Sequence, residues 1–502
     1  MEFVHYLGNV FEPVSFLLLV GGTIGGLILG ATPGLSPTLA VALLIPFTFH
    51  LQPAQGLILL GAAYTSTVAG GAISAILLKI PGAPSNIATT LDGYAMAQKG
   101  EGRKALQISF ISSLIGGVIG VFLLIFLSPV LMKWALAFGP SHLFWLAILG
   151  VTMIATLDSK SVVKGLLSGC IGIWLGTIGF DDVMGAQRFI FHESLSGGIN
   201  IIAALVGLFA IPQVLTMFAM QGAGGSSEVI KVAPHPIMKA VREVLSRTRA
   251  LAVGTIVGSI VGIIPGIGGQ IAGLVAYDQS RRFSREPEKF GTGHSEGIIS
   301  AEAANNAMVG PSLVPLLTLS IPGSPTAAVL LGGLLIHGIF PGSDLFNNYP
   351  EVAWTFINSM LVGQFLMLIF GLYIAGVAAR VAMVPRPVMA AIVLVLAVFG
   401  SYSIQSSMDD VYVMVLLGIA MFFLERYGFT AAPLVLGLIL GPIAETNFIQ
   451  GSMIADATVG RMAYFLTGTL NLVLIAIIVV SVGYTLVMEM KQRRKSTKEV
   501  AA

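Results

Sequence analysis

Long apolar stretches separated by short polar punctuation set the pattern of this chain. Ala105 to Pro129, Gly197 to Met220, Val352 to Ala379 and Ala463 to Met488 are typical. Each is long enough to cross a bilayer core of ~30 Å as a helix, and roughly ten to twelve such spans are expected along the chain. The pattern predicts an all-α polytopic membrane protein, because only helices or closed barrels satisfy the backbone inside lipid.

Pro and Gly interrupt these runs in a repeated way. Gly22-Thr-Ile24 with Pro33-Gly34 matches Gly254-Thr-Ile256 with Pro265-Gly266 at an offset of 232, and Ile80-Pro-Gly-Ala-Pro-Ser85 matches Ile321-Pro-Gly-Ser-Pro-Thr326 at an offset of 241. Leu251 to Tyr277 carries basic residues on both flanks, so Ile264-Pro-Gly-Ile-Gly-Gly269 is read as the tip of a re-entrant hairpin rather than part of a single crossing. The expected organisation is a first repeat over 1–220, a cytoplasmic connector over 221–249, a second repeat over 250–488 and a basic cytoplasmic tail over 489–502.

Charge supports this and gives the repeats opposite hands. Lys and Arg favour cytoplasmic loops, and one segmentation places all of the 26 Lys and Arg on one side except Lys79, Lys133, Arg188 and Arg461. It puts the N-terminus outside and the C-terminus inside, and it makes the two halves an inverted-topology repeat. Composition agrees: 55% of residues are hydrophobic and 10% charged, against roughly 25% charged in soluble domains. The lone Cys170 excludes an internal disulfide or CxxC site. The first apolar run, from about Val14, follows no Lys or Arg and is read as mature chain.

Paired interruptions in inverted repeats mark binding sites of secondary transporters near the midplane. A broken helix exposes N–H groups and a partial positive charge at one new end, and C=O groups at the other, so an organic anion and Na⁺ can be held without a charged side chain. The candidate substrate residues are Pro33, Gly34, Ser36, Thr38, Gly82, Pro84, Ser85, Asn86, Gly266, Gly268, Gly269, Gly323, Ser324, Pro325 and Thr326. Coupling-ion candidates, with Na⁺ in view, are Thr32, Thr65, Thr67, Asn305 and Asn306. Such hydroxyls and amides either line a solute site or satisfy freed backbone groups. Glu302, Asn305 and Asn306 share one helix face, which meets a cavity or other helices; Tyr64 and Thr65 occupy the aligned stretch of the first half. Asp92 is read as a cap, or a partner of Lys99 or Arg103, ahead of a role in cation coupling. His337 is read as a packed residue.

The sequences Gly30-Ala-Thr-Pro-Gly-Leu-Ser-Pro-Thr38, Ile80-Pro-Gly-Ala-Pro-Ser-Asn-Ile-Ala-Thr-Thr-Leu-Asp-Gly-Tyr94, Met96-Ala-Gln-Lys-Gly100 and Pro265-Gly-Ile-Gly-Gly269 resemble the large membrane subunit of tripartite tricarboxylate transporters, the TctA-like permeases. The resemblance runs over nearly the whole chain. It implies secondary uptake of citrate or a related di- or tricarboxylate across the bacterial inner membrane, driven by Na⁺ or H⁺. It also implies two partners, a small TctB-like membrane subunit and a periplasmic TctC-like solute-binding protein. No cofactor is expected. An elevator-type motion is the expected mechanism by analogy with other inverted-repeat carriers. A channel, or an intramembrane enzyme acting on a small organic anion, is the alternative; no HExxH motif, partnered GxSxG or intramembrane Asp pair supports an enzyme.

Overall fold

The computed structural model describes residues 2–135, 137–157, 161–180, 185–219, 234–264, 269–381, 383–458 and 460–500. Eight of the described helices are long and apolar enough to cross a membrane, and Pro37–Thr48, Pro140–Thr156, Val162–Gly176 and Pro325–Leu335 are shorter apolar helices. These eight fall short of the expected ten to twelve spans, the rest of the apolar stretches forming the shorter helices, of which Pro37–Thr48 and Pro325–Leu335 begin just after Pro-Gly breaks. The strand pair described, Gly179–Phe180 with Gln187–Arg188, is a short antiparallel clip. The chain is an all-α polytopic membrane protein.

Polar contacts between loops sort the segments into two sets. Lys104 Nζ lies 3.2 Å from a Glu243 oxygen, Lys99 Nζ donates to Thr292 O at 2.6 Å, and Lys164 Nζ donates to Tyr427 O at 2.5 Å. At the other end Asn9 Nδ2 donates to Glu351 at 3.0 Å, Asn200 Nδ2 to Asp410 at 3.1 Å and Trp145 Nε1 to Phe465 O at 2.8 Å. Each contact joins two segments that the distribution of Lys and Arg places on the same side. The parity of the crossings is therefore consistent throughout these contacts.

The matched punctuation has matched geometry. Gly22, Gly26 and Gly30 on Pro13–Ala31 press against Pro53–Leu78, where an added Cβ would lie 2.8, 2.8 and 2.2 Å from the carbonyl oxygens of Leu59, Ala63 and Thr67. Gly254, Gly258 and Gly262 on Thr248–Ile263 meet Ser300, Ala304 and Met308 oxygens at 2.4, 2.3 and 2.5 Å. The glycines are related by the offset of 232 and their carbonyl partners by 241, the two offsets seen in the sequence. Small residues let helix backbones approach closely where lipid provides no hydrophobic drive.

The breaks after Pro53–Leu78 and Val309–Leu319 share one register and one hydrogen-bond pattern. Lys79 and Ser320 end Pro53–Leu78 and Val309–Leu319 with left-handed φ of 59° and 60°, a common way to stop a helix. Ile80 N then bonds Ser74 O at 3.3 Å and Ile321 N bonds Pro315 O at 3.2 Å; Gly82 N bonds Gly71 O at 3.4 Å and Gly323 N bonds Ser312 O at 3.2 Å. Thr248–Ile263 packs against Gly269–Phe283, as a re-entrant hairpin requires. Residues 265–268 of its tip, with candidates Gly266 and Gly268, lie outside the described residues.

Candidate functional site

Pro at the first helical position costs no hydrogen bond, and a preceding Ser accepts from an exposed N–H, so Ser-Pro is a strong helix start. The chain uses it on both sides of its centre. Ser36 Oγ accepts from Leu39 N at 3.2 Å to start Pro37–Thr48, and Ser324 Oγ accepts from Ala327 N at 3.1 Å to start Pro325–Leu335. The Pro84–Asn86 turn likewise leads into Ile87–Met96. These three starts meet. Thr38 Oγ1 lies 2.9 Å from Thr326 Oγ1, and Tyr64 Oη lies 3.0 Å from Ser324 Oγ and 3.2 Å from Ser312 Oγ.

Between them lies a cavity of about 460 Å³ lined by Ser36, Pro37, Thr38, Tyr64, Pro84, Ser85, Ser324, Pro325 and Thr326, with Val68, Phe209 and Met308 as apolar walls. Its remaining wall is Glu425 and Gly428–Ala432, where Thr430 precedes the Ala431–Asp456 helix. Three helix N-termini and the Pro84–Asn86 turn therefore face one space. Among the described residues lining it there is no Lys, Arg or His, and seven carry a hydroxyl. Each N-terminus favours negative charge by about 0.3–1 kcal/mol where solvated, more where partly buried, and the volume lies in the usual range for small ligands. The arrangement suits an anion with several oxygen atoms.

Of the sequence candidates, Ser36, Thr38, Pro84, Ser85, Ser324, Pro325 and Thr326 line this cavity. Gly82 and Gly323 stand behind it and set its shape. A Cβ on Gly82 would lie 2.2 Å from Gly30 O and 2.6 Å from Gly71 Cα, and one on Gly323 would lie 2.7 Å from Ser312 O. Gly34 takes a φ of +91° at the first break, beside Gln213, and follows Pro33 there. Thr32 bonds back to Ile28 O at 2.9 Å, and Gly269 opens the Gly269–Phe283 helix. Thr65 and Thr67 are buried, with hydroxyls that have no hydrogen-bond partner. Tyr64, Glu425 and Thr430 were absent from the candidate set. Thr430 could have been found as a hydroxyl ahead of Ala-Ala-Pro433, a helix start without a Pro-Gly break.

Behind the Pro84–Asn86 turn is a second, closed polar cluster. Asn86, Glu302 and Asn305 are fully buried. The Glu302 carboxylate accepts from the Thr89 hydroxyl at short range, from Asn86 Nδ2 at 3.4 Å, from Ser113 Oγ at 3.4 Å and from Asn305 Nδ2 at 3.5 Å. Asn305 Nδ2 also donates to Ser85 O at 3.1 Å, which ties the cluster to the cavity wall. Asn306 Nδ2 reaches back to Glu302 O at 3.4 Å. The Oδ1 atoms of Asn86, Asn305 and Asn306 are buried without a partner.

Asp92 has a different task. Fully buried, it accepts from the backbone N–H groups of Gly291, Gly293 and His294 at 2.9, 2.8 and 2.7 Å and from Tyr277 Oη at 2.9 Å. It caps the loop over 284–294 rather than pairing with Lys99 or Arg103, and Lys99 holds the same loop through Thr292 O. In that loop Lys289 donates to Glu286 and holds its carboxyl below the usual range. His337 packs beside Gly56, its Nε2 buried without a partner.

This architecture has parallels among known proteins. The chain is 34% identical over 98% of its length to a protein of Agrobacterium vitis described as an uncharacterized 52.8 kDa protein in TAR-I ttuC' 3'region, and covers 98% of that relative. A second protein of Agrobacterium vitis, described as an uncharacterized protein in TAR-II ttuC' 3'region, is 36% identical over 38% of this chain and 79% of its own length. No solved structure matches. Residues 16–436 match the family described as the tripartite tricarboxylate transporter TctA family, and with that span covering all four breaks the chain belongs to this family.

Proposed function

We propose that this chain is the translocating subunit for cation-coupled uptake of citrate or a related di- or tricarboxylate across the bacterial inner membrane. It works with a small TctB-like membrane subunit and a periplasmic TctC-like solute-binding protein. The observation that carries this reading is the convergence of three helix N-termini and the Pro84–Asn86 turn on a hydroxyl-lined cavity whose described lining holds no Lys, Arg or His. Backbone N–H groups and hydroxyls would replace the hydration of several carboxylate oxygens. An acyclic anion with two or three carboxylates can then be gripped from separate helix starts.

The cavity also lies at a boundary. One wall comes from the broken segments over 36–38, 84–85 and 324–326, and the other from Phe209, Glu425 and 428–432, outside the broken segments. An elevator motion needs this arrangement, with the broken segments carrying the solute past a fixed wall. Glu425 at the mouth is exposed, on the side of Lys164 and Tyr427, the basic side by charge distribution. The N-terminus is then periplasmic, the C-terminus cytoplasmic, and the state inward-facing.

Uptake in vesicles holding this chain with both partners, over a panel of di- and tricarboxylates under Na⁺ or H⁺ gradients, tests the reading; failure to accumulate any organic anion would overturn it. In a Cys170→Ser background, a Ser85→Cys, Thr430→Cys pair joined across the cavity is expected to stop transport. Full uptake by the crosslinked pair would exclude the moving-carrier mechanism.

A further inference from the structure

We infer that Glu302 is the proton-carrying group of this transporter, and that its protonation is coupled to the solute cavity through Asn305 and Ser85. The inference rests on the transport reading above and names the coupling ion as H⁺. A carboxylate buried within the protein costs several kcal/mol unless a cation or strong hydrogen bonds compensate it. Glu302 is 0% exposed, and its partners are the neutral side chains of Thr89, Asn86, Ser113 and Asn305.

The charged and titratable groups of the surrounding helices are occupied elsewhere. On Ile87–Met96 and Gly269–Phe283, Asp92 and Tyr277 bond each other, Arg282 pairs with Asp278 and Arg281 bonds Pro287 O. Tyr94 lies under Lys79, and Tyr64 on Pro53–Leu78 turns to Ser312 and Ser324. Lys104 pairs with Glu243, Arg103 lines a separate cavity beside Gln107, Lys133 is exposed, and Arg249 bonds Phe283 O. On its own helix Glu296 pairs with Arg247. Glu302 thus has no counter-charge among the described residues, and a proton taken from water on the open side neutralises it most simply.

The amides give protonation a structural consequence. Ionised Glu302 accepts N–H from Asn86 and Asn305, whose Oδ1 atoms are orphaned. Protonated Glu302 carries an O–H and needs an acceptor. Turning the Asn305 amide presents Oδ1 to that proton, since an amide offers donor and acceptor at nearly the same place. The same turn gives up the bond from Asn305 Nδ2 to Ser85 O, and Ser85 is in the cavity wall. Proton state and cavity shape are thereby linked. Electrostatics gives the order: removing the negative charge behind the wall lowers repulsion of an incoming carboxylate, so the proton precedes the solute and leaves to water after it.

The experiment has two arms. In the first, the chain alone in bilayers is titrated by infrared difference spectroscopy, which needs no transport. A protonated-carboxyl C=O band that grows on acidification is expected, lost in Glu302→Gln and shifted in Glu302→Asp; a wild-type spectrum without the band, or a band unchanged in both variants, overturns the inference. In the second, proteoliposomes with both partners are loaded with citrate or tricarballylate. Glu302→Gln is expected to lower pH-gradient-driven accumulation by about ten-fold or more and to flatten the pH dependence of solute exchange. Wild-type accumulation driven by Na⁺ but not by a pH gradient would overturn the proton assignment. A wild type that moves no carboxylate under any gradient would instead overturn the transport reading, leaving the infrared arm to decide the proton site.

Discussion

The region around Asp92 and Glu302 and its counterpart around Gly333 and Gly61 occupy equivalent places in the two halves, related by the offset of 241, yet one is polar and the other packed shut. Where Asp92 collects three backbone N–H groups, a Cβ on Gly333 would lie 2.6 Å from a Leu60 methyl. Where Glu302 gathers Asn86, Thr89 and Ser113, a Cβ on Gly61 would lie 2.5 Å from the Phe356 ring. Backbone geometry is shared, down to the left-handed residues Lys79 and Ser320. The difference teaches that the repeat builds a symmetric set of helix ends, and side-chain divergence decides which end handles charge.

The largest expected effect comes from breaking what the halves share. Gly82→Val and Gly323→Val each push a branched side chain into backbone, and overpacking of this kind costs about 1–3 kcal/mol, occasionally more. Both are expected to abolish uptake and lower the melting temperature in detergent. Gly21→Val, at a position with open space around it, is the control and should melt with the wild type. Equal damage in all three would show that the close approach at the breaks is not special.

Next comes the polar half alone. Asp92→Ala removes four hydrogen bonds to a buried carboxylate, each worth about 1.5–3 kcal/mol with charged groups, though the loss is not additive. The expected result is a marked fall in thermal stability and rapid amide exchange at Gly291, Gly293 and His294. Gly333→Ala, in the counterpart, should disturb packing against Leu60 without touching that loop. Protected loop amides in Asp92→Ala would refute the capping role.

Smaller still are the hydroxyls at the seam. Tyr64→Phe and Thr326→Val keep shape while removing one donor each, and a lost hydrogen bond to a charged ligand is worth about 1.5–3 kcal/mol. Their KM for carboxylate should rise, with folding unchanged by melting temperature. Thr32→Val, which loses only its bond to Ile28 O, should leave KM alone.

Much of this was legible in the sequence because breaks and caps are local. Ser36, Ser324 and the two Pro-Gly pairs after the long helices announce helix ends by residue type, and the glycine spacing survives as close helix contact. What was not legible depends on distance across the fold. Tyr64 reaches Ser324 only because the halves interlock, and Thr430 joins the cavity from a helix with no break. The partners of Asp92 were hidden for another reason: three loop N–H groups have no side-chain signature, so Lys99 and Arg103 stood out as the charged neighbours instead.

The weakest lever is the loop that only the second half possesses. In the first half the turn at Phe49–Gln52 joins Pro37–Thr48 to Pro53–Leu78, whereas the equivalent connection runs from Ser284 to His294 and folds over Asp92. Glu286 contributes there through Lys289, whose hydrogen bond holds the carboxylate below its usual range. A carboxyl held low in the folded loop adds stability above its unfolded pKa and loses it as pH falls through the folded value, so the contribution is present at neutral pH and fades below about pH 4. The pair is solvent-exposed, and an exposed pair changes local opening by about two-fold. Glu286→Gln is therefore expected to raise amide exchange at Gly291 and Gly293 slightly at pH 7, with the difference from wild type vanishing in acid. No difference from wild type at pH 7 would mean that the loop is held by Asp92 and Lys99 without the ion pair, which would then be incidental to the asymmetry between the halves.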